Sequence, residues 1–178
     1  VKTIDVECVV MQYCRPRQNT VVPNVSWGIY HSGKLLHECD VLCLSAHGYA
    51  TEYEIKVSLR DLKKDGDKSH GHDHPLIKNL YFVVPRELQD KALELIPERA
   101  GLIIVEVIRG RHRVFKIKEA VPRKDAVKWS ESMRFKLMRL AALRITTLKS
   151  RISKLEKRLA ETKRGCYGRR QNSKRTGT

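Results

Sequence analysis

The chain has 178 residues, 41% of them hydrophobic, and carries 36 Lys+Arg against 20 Asp+Glu for a formal net charge of +16. Such a length and apolar content build one ordinary domain, or a smaller domain with an appendage. No run of about eighteen apolar residues occurs, which excludes a membrane-spanning helix.

The charge is unevenly spread. Residues 1–122 hold 18 Lys+Arg and 16 Asp+Glu, a balance of +2, whereas residues 123–178 hold 18 and 4, a balance of +14. A near-neutral body thus carries a basic block, the pattern of a phosphate-bearing partner. DNA is the expected partner, and no membrane, because the block lacks a lipid-seeking aromatic face. The five cysteines (Cys8, Cys14, Cys39, Cys43, Cys166) form no CxxC pair and are odd in number. That usage fits a reducing compartment, with most of them acting as small core residues. No charged-then-apolar leader opens the chain, so a cytoplasmic and not a secreted protein is expected.

In chain order, "TIDVECVVMQYCR" repeats apolar residues at helical spacing, with Thr3 or Asp5 near the N-cap and Pro16 as the stop. "NTVVPNVSWGIY" is a short extended segment interrupted by Pro23. "KLLHECDVLCLS" reads as one buried strand, and "HGY" turns it into the strand "ATEYEIKVS", so the two form a hairpin. In that second strand Tyr53, Ile55 and Val57 face one side and Glu52, Glu54, Lys56 and Ser58 the other; taken alone, this is a half-exposed strand with a solvated polar face. Ser58 caps a short helix, "LRDLKKD", with Asp61 in its first turn. "GDKSHGHDHP" is a polar loop and "NLYFVVP" an apolar strand. "RELQDKALELIPER" is a helix, and "AGLIIVEV" and "HRVFKIKEA" are strands around a turn at Gly110. The elements alternate as in an α/β domain with a mixed sheet.

From about Lys124 to Lys163 the chain is one long helical pattern. Its seam (Met138, Ala141, Ile145, Leu148, Ile152, Leu155, Leu159, Thr162) keeps heptad spacing. The flanks oppose simple self-pairing: in a parallel dimer Arg144 would face Lys149 and Arg158 would face Lys163, and only Arg151 would meet a partner, Glu156. The seam therefore packs on a protein partner, or pairs as a homodimer when an anion screens it. The composition divides the chain into a body at 1–122, a basic helical arm at 123–164 and a disordered basic tail at 165–178.

Asp40 sits in the apolar run "ECDVLCLS", where a carboxylate is costly without a cation or donors. Across the hairpin stands Glu54. Two facing carboxylates repel, and a divalent cation is the natural remedy. Lys56, on Glu54's side of its strand, points at the same spot. A cation, a water and a lysine together suit phosphodiester cleavage, the cation acidifying water and the lysine stabilising developing charge.

"Asp40 … Glu54-Ile55-Lys56" resembles the PD-(D/E)XK nuclease motif, with Cys39 where the family's proline stands. The order of elements is similar to that superfamily's restriction-endonuclease-like core, a mixed central sheet flanked by helices. The longer run "CD…YEIKVSLRDLKKDGDKSH", with "YFVVPREL" and "IPERAGLIIV", resembles small bacterial and phage nucleases, the MmcB-like DNA-repair proteins among them. The resemblance spans roughly Asp5 to Lys118 and does not include the basic helix. It implies Asp40 and Glu54 as ligands of Mg²⁺ or Mn²⁺ with the carbonyl of Ile55, and Lys56 as the catalytic lysine. An acidic residue from the first helix often joins this set; Glu7 is the candidate and Asp5 the second choice. Ser58, Asp61 and Lys68 would line the cleft mouth and touch phosphates, although capping explains Ser58 and Asp61 equally well. In "HGHDH" His70 is the best candidate for a phosphate-contacting role, against the alternative of a structural zinc site. On the arm Arg144, Lys149, Arg151 and Arg158 would add phosphate affinity. The expected protein is a magnesium-dependent deoxyribonuclease of a bacterial or phage-infected cell; the alternatives are a non-catalytic DNA-binding protein on the same fold and a helical interaction protein.

Overall fold

The computed structural model describes the backbone of residues 2–25, 30–31, 34–35, 38–65 and 74–175, and the side chains of these except 30–31, 34–35, 65 and 163–175. It divides into two units, Val1–Met138 and Arg139–Thr178.

The first unit begins with helix α1 (Thr3–Tyr13), whose N-cap is Lys2 and not Thr3 or Asp5. Asp5 instead lies in the first turn, where a carboxylate complements the helix dipole. The helix stops as the sequence predicts, just before Pro16: Arg15 turns to φ 53, and Asn19 Nδ2 donates to the carbonyl of Cys14 at 2.8 Å. Then come β1 (Thr20–Val25), β2 (Tyr30–His31), β3 (Lys34–Leu35), β4 (Cys39–Leu44), β5 (Ala50–Ile55), α2 (Leu59–Asp65) and β6 (Ile77–Pro85). A 3-10 turn (Arg86–Leu88) leads into α3 (Gln89–Leu95), followed by β7 (Gly101–Ile108) and β8 (Arg111–Lys118).

Six strands form one sheet in the order β1-β4-β5-β6-β7-β8, and β2 pairs separately with β3. The strand expected from Lys34 to Ser45 is thus two pieces. The β4–β5 hairpin is antiparallel, with Val41 opposite Tyr53 and Leu42 opposite Glu52; Gly48 at φ 85 supplies the left-handed residue of its turn. The pairs β5–β6 and β6–β7 are parallel. Their two crossovers step the same way across the sheet, and a common right-handedness sends α2 and α3 to one face. There Leu62, Ala92 and Ile96 pack on Leu80, Phe82, Val84, Leu102 and Ile104. On the opposite face α1 seats Val6 and Val10 against Val41, Tyr53, Ile55, Val83, Ile103 and Val105. Strand β5 is therefore covered on both sides.

Two helices differ from expectation. The α3 segment is shorter than the 86–99 run because Ile96 is extended (ψ 151) ahead of Pro97, a residue that disfavours helix at its predecessor. The long helix α4 (Glu131–Arg175) starts at Glu131, not near Lys124. Residues 119–130 instead form a strap whose amides bond back to the body: Val121 to Arg99, Arg123 to Lys78, Val127 to Pro75 and Trp129 to Gly48, all at 2.8–2.9 Å. Trp129 is buried and its indole N–H donates to the carbonyl of Leu76 at 2.9 Å, while Leu137 on the first turns of α4 is fully buried. The body thus runs to Met138 and not to Pro122. Tertiary bonding, absent from a periodicity pattern, overrides helix propensity here.

The second unit is the rest of α4. Its seam residues Ile145, Leu148, Ile152, Leu155 and Leu159 are all exposed. The helical backbone continues over 165–175, where the composition suggests an irregular tail, because extending an established helix costs far less than starting one.

Candidate active site

The site stands where β5 leaves the sheet. The β4–β5 register sets Asp40 level with Glu54, and the period of two puts Asp40, Glu52, Glu54 and Lys56 on the α2/α3 side while Tyr53 and Ile55 enter the core under α1. Asp40 is fixed by the backbone: its Oδ2 accepts the amide N–H of Ile55 at 2.8 Å. Lys56 Nζ donates to Glu54 Oε1 at 2.6 Å, and the two side chains are only 11% and 3% exposed. The Lys56 amide in turn donates to the carbonyl of Val83 at 3.0 Å, which carries the strand's ladder to the last residue of the motif.

A buried ion pair is a weak source of net stability, since desolvation offsets most of its attraction and apolar residues of equal volume do as well. The Glu54–Lys56 pair in the middle of an apolar sheet therefore adds little to the net stability of the fold. It borders a cavity of about 270 Å³ lined by Thr3, Asp40, Ile55, Lys56, Val57, Asp61 and Lys64. Glu54 is not a wall residue; it meets the cavity through the lysine that it holds.

Beyond Lys56 the chain turns into α2 through a reciprocal cap: Ser58 Oγ donates to Asp61 Oδ2 at 2.7 Å and accepts the Asp61 amide at 3.2 Å. Capping thus accounts for both side chains, although Asp61 also lines the cavity. Glu7, on α1, accepts from Asn24 Nδ2 at 3.2 Å and is not among the lining residues; Thr3, one turn nearer the helix start, is.

Alternation alone places Glu52 on the solvated face of its strand and gives it no role. It is fully buried, between Leu42 and Leu80 in neighbouring strands, on the same face as Glu54 and one pleat away. The polar face of β5 is therefore not solvated, contrary to the half-exposed reading. The available signal was the parallel pairing of β5, since parallel strands are covered on both faces. The carboxylates crowd one end of β4: burial pushes the Cys39 thiol well up, and the negative charges of Glu52, Glu54, Asp40 and Glu38 add in the same direction.

Lys68 and His70 lie outside the described residues, as does most of the HGHDH run. Of that run His74 is described, and its Nδ1 accepts the amide of Leu76 at 3.2 Å. Among the described residues no group of three or more His, Cys, Asp or Glu side chains is placed to hold a metal ion. Lys149, Arg151 and Arg158 are exposed on the second unit and Arg144 is half-buried there.

The family described as DNA repair protein MmcB-like matches residues 2–152. A solved protein of unknown function from Silicibacter pomeroyi shares the fold, with a TM-score of 0.55 at 19% identity over 82% of this chain and 86% of that one. No curated protein matches significantly. With the fold and most of the chain accounted for in this way, the protein belongs to the MmcB-like family of DNA repair proteins.

Proposed function

We propose that the chain is a Mg²⁺- or Mn²⁺-dependent deoxyribonuclease of PD-(D/E)XK type, hydrolysing phosphodiester bonds of DNA in repair, recombination or phage DNA processing. The observation that carries this reading is the meeting of Asp40, Ile55 and Lys56 on one open cavity, with Glu54 bonded to Lys56 behind it. The donors are carboxylate and carbonyl oxygens. Such a hard set suits Mg²⁺, which takes one or two protein carboxylates and completes its shell with waters and substrate phosphate. Asp40, Glu54 and the Ile55 carbonyl would hold the ion, which when bound supplies Lewis-acid polarisation of a phosphoryl oxygen and a more acidic water. Lys56 has two duties: its ammonium neutralises Glu54, and it offers positive charge to the scissile phosphate as negative charge develops there. Lys64 on the cavity wall stands ready for a neighbouring phosphate. Arg144, Lys149, Arg151 and Arg158 on α4 add sequence-independent affinity for the backbone, and the exposed seam of that helix takes a second copy or a protein partner.

A second reading, DNA binding without cleavage, has one observation in its favour: Lys56 already provides Glu54 with a counter-charge at 2.6 Å, so the pair is stable without an ion. Incubation with labelled linear, circular and four-way-junction DNA, with and without magnesium or manganese, separates the two. Metal-dependent cleavage lost in Asp40→Asn supports the nuclease; binding with no cleavage under any of these conditions selects the second reading.

A further inference from the structure

The turn between β7 and β8 carries three arginines in five residues, Arg109, Arg111 and Arg113, all exposed. It is a two-residue hairpin with Arg109 at φ 51 and Gly110 at φ 73, and a side chain added at Gly110 would meet nothing within 4 Å. Turns of this kind favour Asn or Asp before the glycine, because other L-residues resist positive φ. An arginine at that place costs the turn some stability, and crowding three like charges at the tip costs more. The lysines at the other end of β8 are engaged: Lys118 Nζ donates to the carbonyl of Glu98 at 2.8 Å, and Lys116 pairs with Glu119. Arg109, Arg111 and Arg113 form no ion pair among the described residues, although Glu106 lies opposite Arg113 in the ladder. With Ile108 they line a shallow depression of about 490 Å³.

The sheet decides what this tip faces. β5, β6 and β7 are parallel, so the carboxyl ends of all three point the same way. The active-site end of β5 and the β7–β8 turn therefore share one end of the sheet. β6 makes its last pair at Pro85 with Val105, so the hairpin projects past its neighbour from Glu106 onward. The faces agree as well: Ile104 packs with α2 and α3, and the alternation continues through the opposed pairs Ile104–Phe115, Glu106–Arg113 and Ile108–Arg111 to put both arginines on the side of Glu54 and Lys56. Three strand spacings separate β5 from β8, about 14 Å across. Through the registers Lys56 is level with Ile104, two residues before Glu106. By strand spacing and rise the backbone of Arg113 is thus about 16 Å from that of Lys56, and the backbone of Arg111 about 19 Å, a span of roughly five base steps at 3.4 Å rise.

We propose that the β7–β8 hairpin is a phosphate-binding finger for DNA, holding the backbone about five base steps from the phosphate at Lys56. The inference rests on the DNA reading of the Asp40–Glu54–Lys56 site and extends it with a second contact on the same rigid sheet. Guanidinium groups suit this, since each presents a planar fork of donors that matches phosphate oxygens.

The test is equilibrium binding of the full chain to a labelled DNA duplex across a series of salt concentrations, in chelator so that cleavage does not enter. Changing Arg109, Arg111 and Arg113 to Gln should flatten the slope of log K against log salt by roughly two to three units, at about 0.9 per phosphate. Affinity near 0.1 M salt should fall by one to two orders of magnitude, while the triple Arg→Lys variant keeps the slope. The changed side chains are exposed, so a melting temperature no lower than that of the parent excludes misfolding. A wild-type slope in the Gln variant overturns the finger and leaves the DNA reading standing. No duplex binding by the wild-type chain overturns both. Tighter binding of anionic vesicles than of duplex, lost in the Gln variant, overturns the finger in favour of a membrane surface.

Discussion

Lys56 Nζ stands 2.6 Å from Glu54 Oε1, two residues away on one face of a strand that is covered on both sides. Each charge offsets part of the burial cost of the other. Removing one partner of a buried pair commonly costs about 3–5 kcal/mol, whereas replacing both by apolar groups is close to neutral. Lys56→Met should therefore destabilise the protein by that amount in urea unfolding, and Glu54→Leu/Lys56→Met should recover most of the loss. A single variant as stable as the parent would show that the pair is not buried in solution. In the cleavage assay Lys56→Met should lose about 10² in rate or more, as on removal of one preorganised donor. DNA binding should fall only slightly, and equal losses in both would make Lys56 an ordinary phosphate contact.

Asp40 is held by the Ile55 amide at 2.8 Å, so its carboxylate is preset beside the carbonyl proposed as a ligand. Magnesium or manganese should raise the melting temperature by mass action, and chelator should reverse the effect. Asp40→Asn should abolish both the shift and the calorimetric binding signal. Undiminished divalent binding in that variant removes Asp40 from the ligand set.

The strap ending in Trp129 changes where the arm can be cut. Truncation after Met138 should leave a folded body, because Trp129 and Leu137 remain. Truncation after Pro122 exposes the core beneath both and should unfold or aggregate the protein; loss of one large buried side chain already costs about 3–5 kcal/mol. Residues 139–178 carry +11 of the net +16, so the shorter cut should flatten the salt slope for DNA strongly. Cleavage at saturating DNA should survive. An unchanged slope in the folded truncation would assign α4 to a protein partner instead.

Tyr81 packs against Tyr53 with ring centroids 5.6 Å apart and donates its hydroxyl to Glu119 Oε2 at 2.6 Å. Burial first, and then the bond to Glu119, push the phenol above its ordinary value of 10.0. A folded pKa raised above the unfolded one favours folding below about pH 10, and that contribution fades as pH climbs towards the folded value. Near-ultraviolet titration should show a tyrosine ionising above pH 10 that Tyr81→Phe removes, and the variant should lose less stability than the parent over that range. An identical alkaline limb in both would discount the bond to Glu119.

The Asp40–Glu54–Lys56 grouping was legible in the sequence because it depends on local rules. A short turn makes the hairpin, a two-residue period sets the face, and Ser58 with Asp61 starts the next helix. The same rules mark the six strands of the main sheet and the stop of α1. What they could not supply was context. Glu52 reads as a surface carboxylate until the parallel partner β6 and the helices above it cover β5. Residues 124–130 read as helix until the amides of Val127 and Trp129 find the carbonyls of Pro75 and Gly48, just ahead of β6 and β5. The turn at Gly110 reads only as a link between two strands, and only the strand order sets its arginines at the Asp40–Glu54–Lys56 end of the sheet. Periodicity records what a residue's neighbours in the chain require of it. Burial of a charge, and the direction in which a hairpin points, depend on residues far along the chain, and those relations exist only once the sheet has formed.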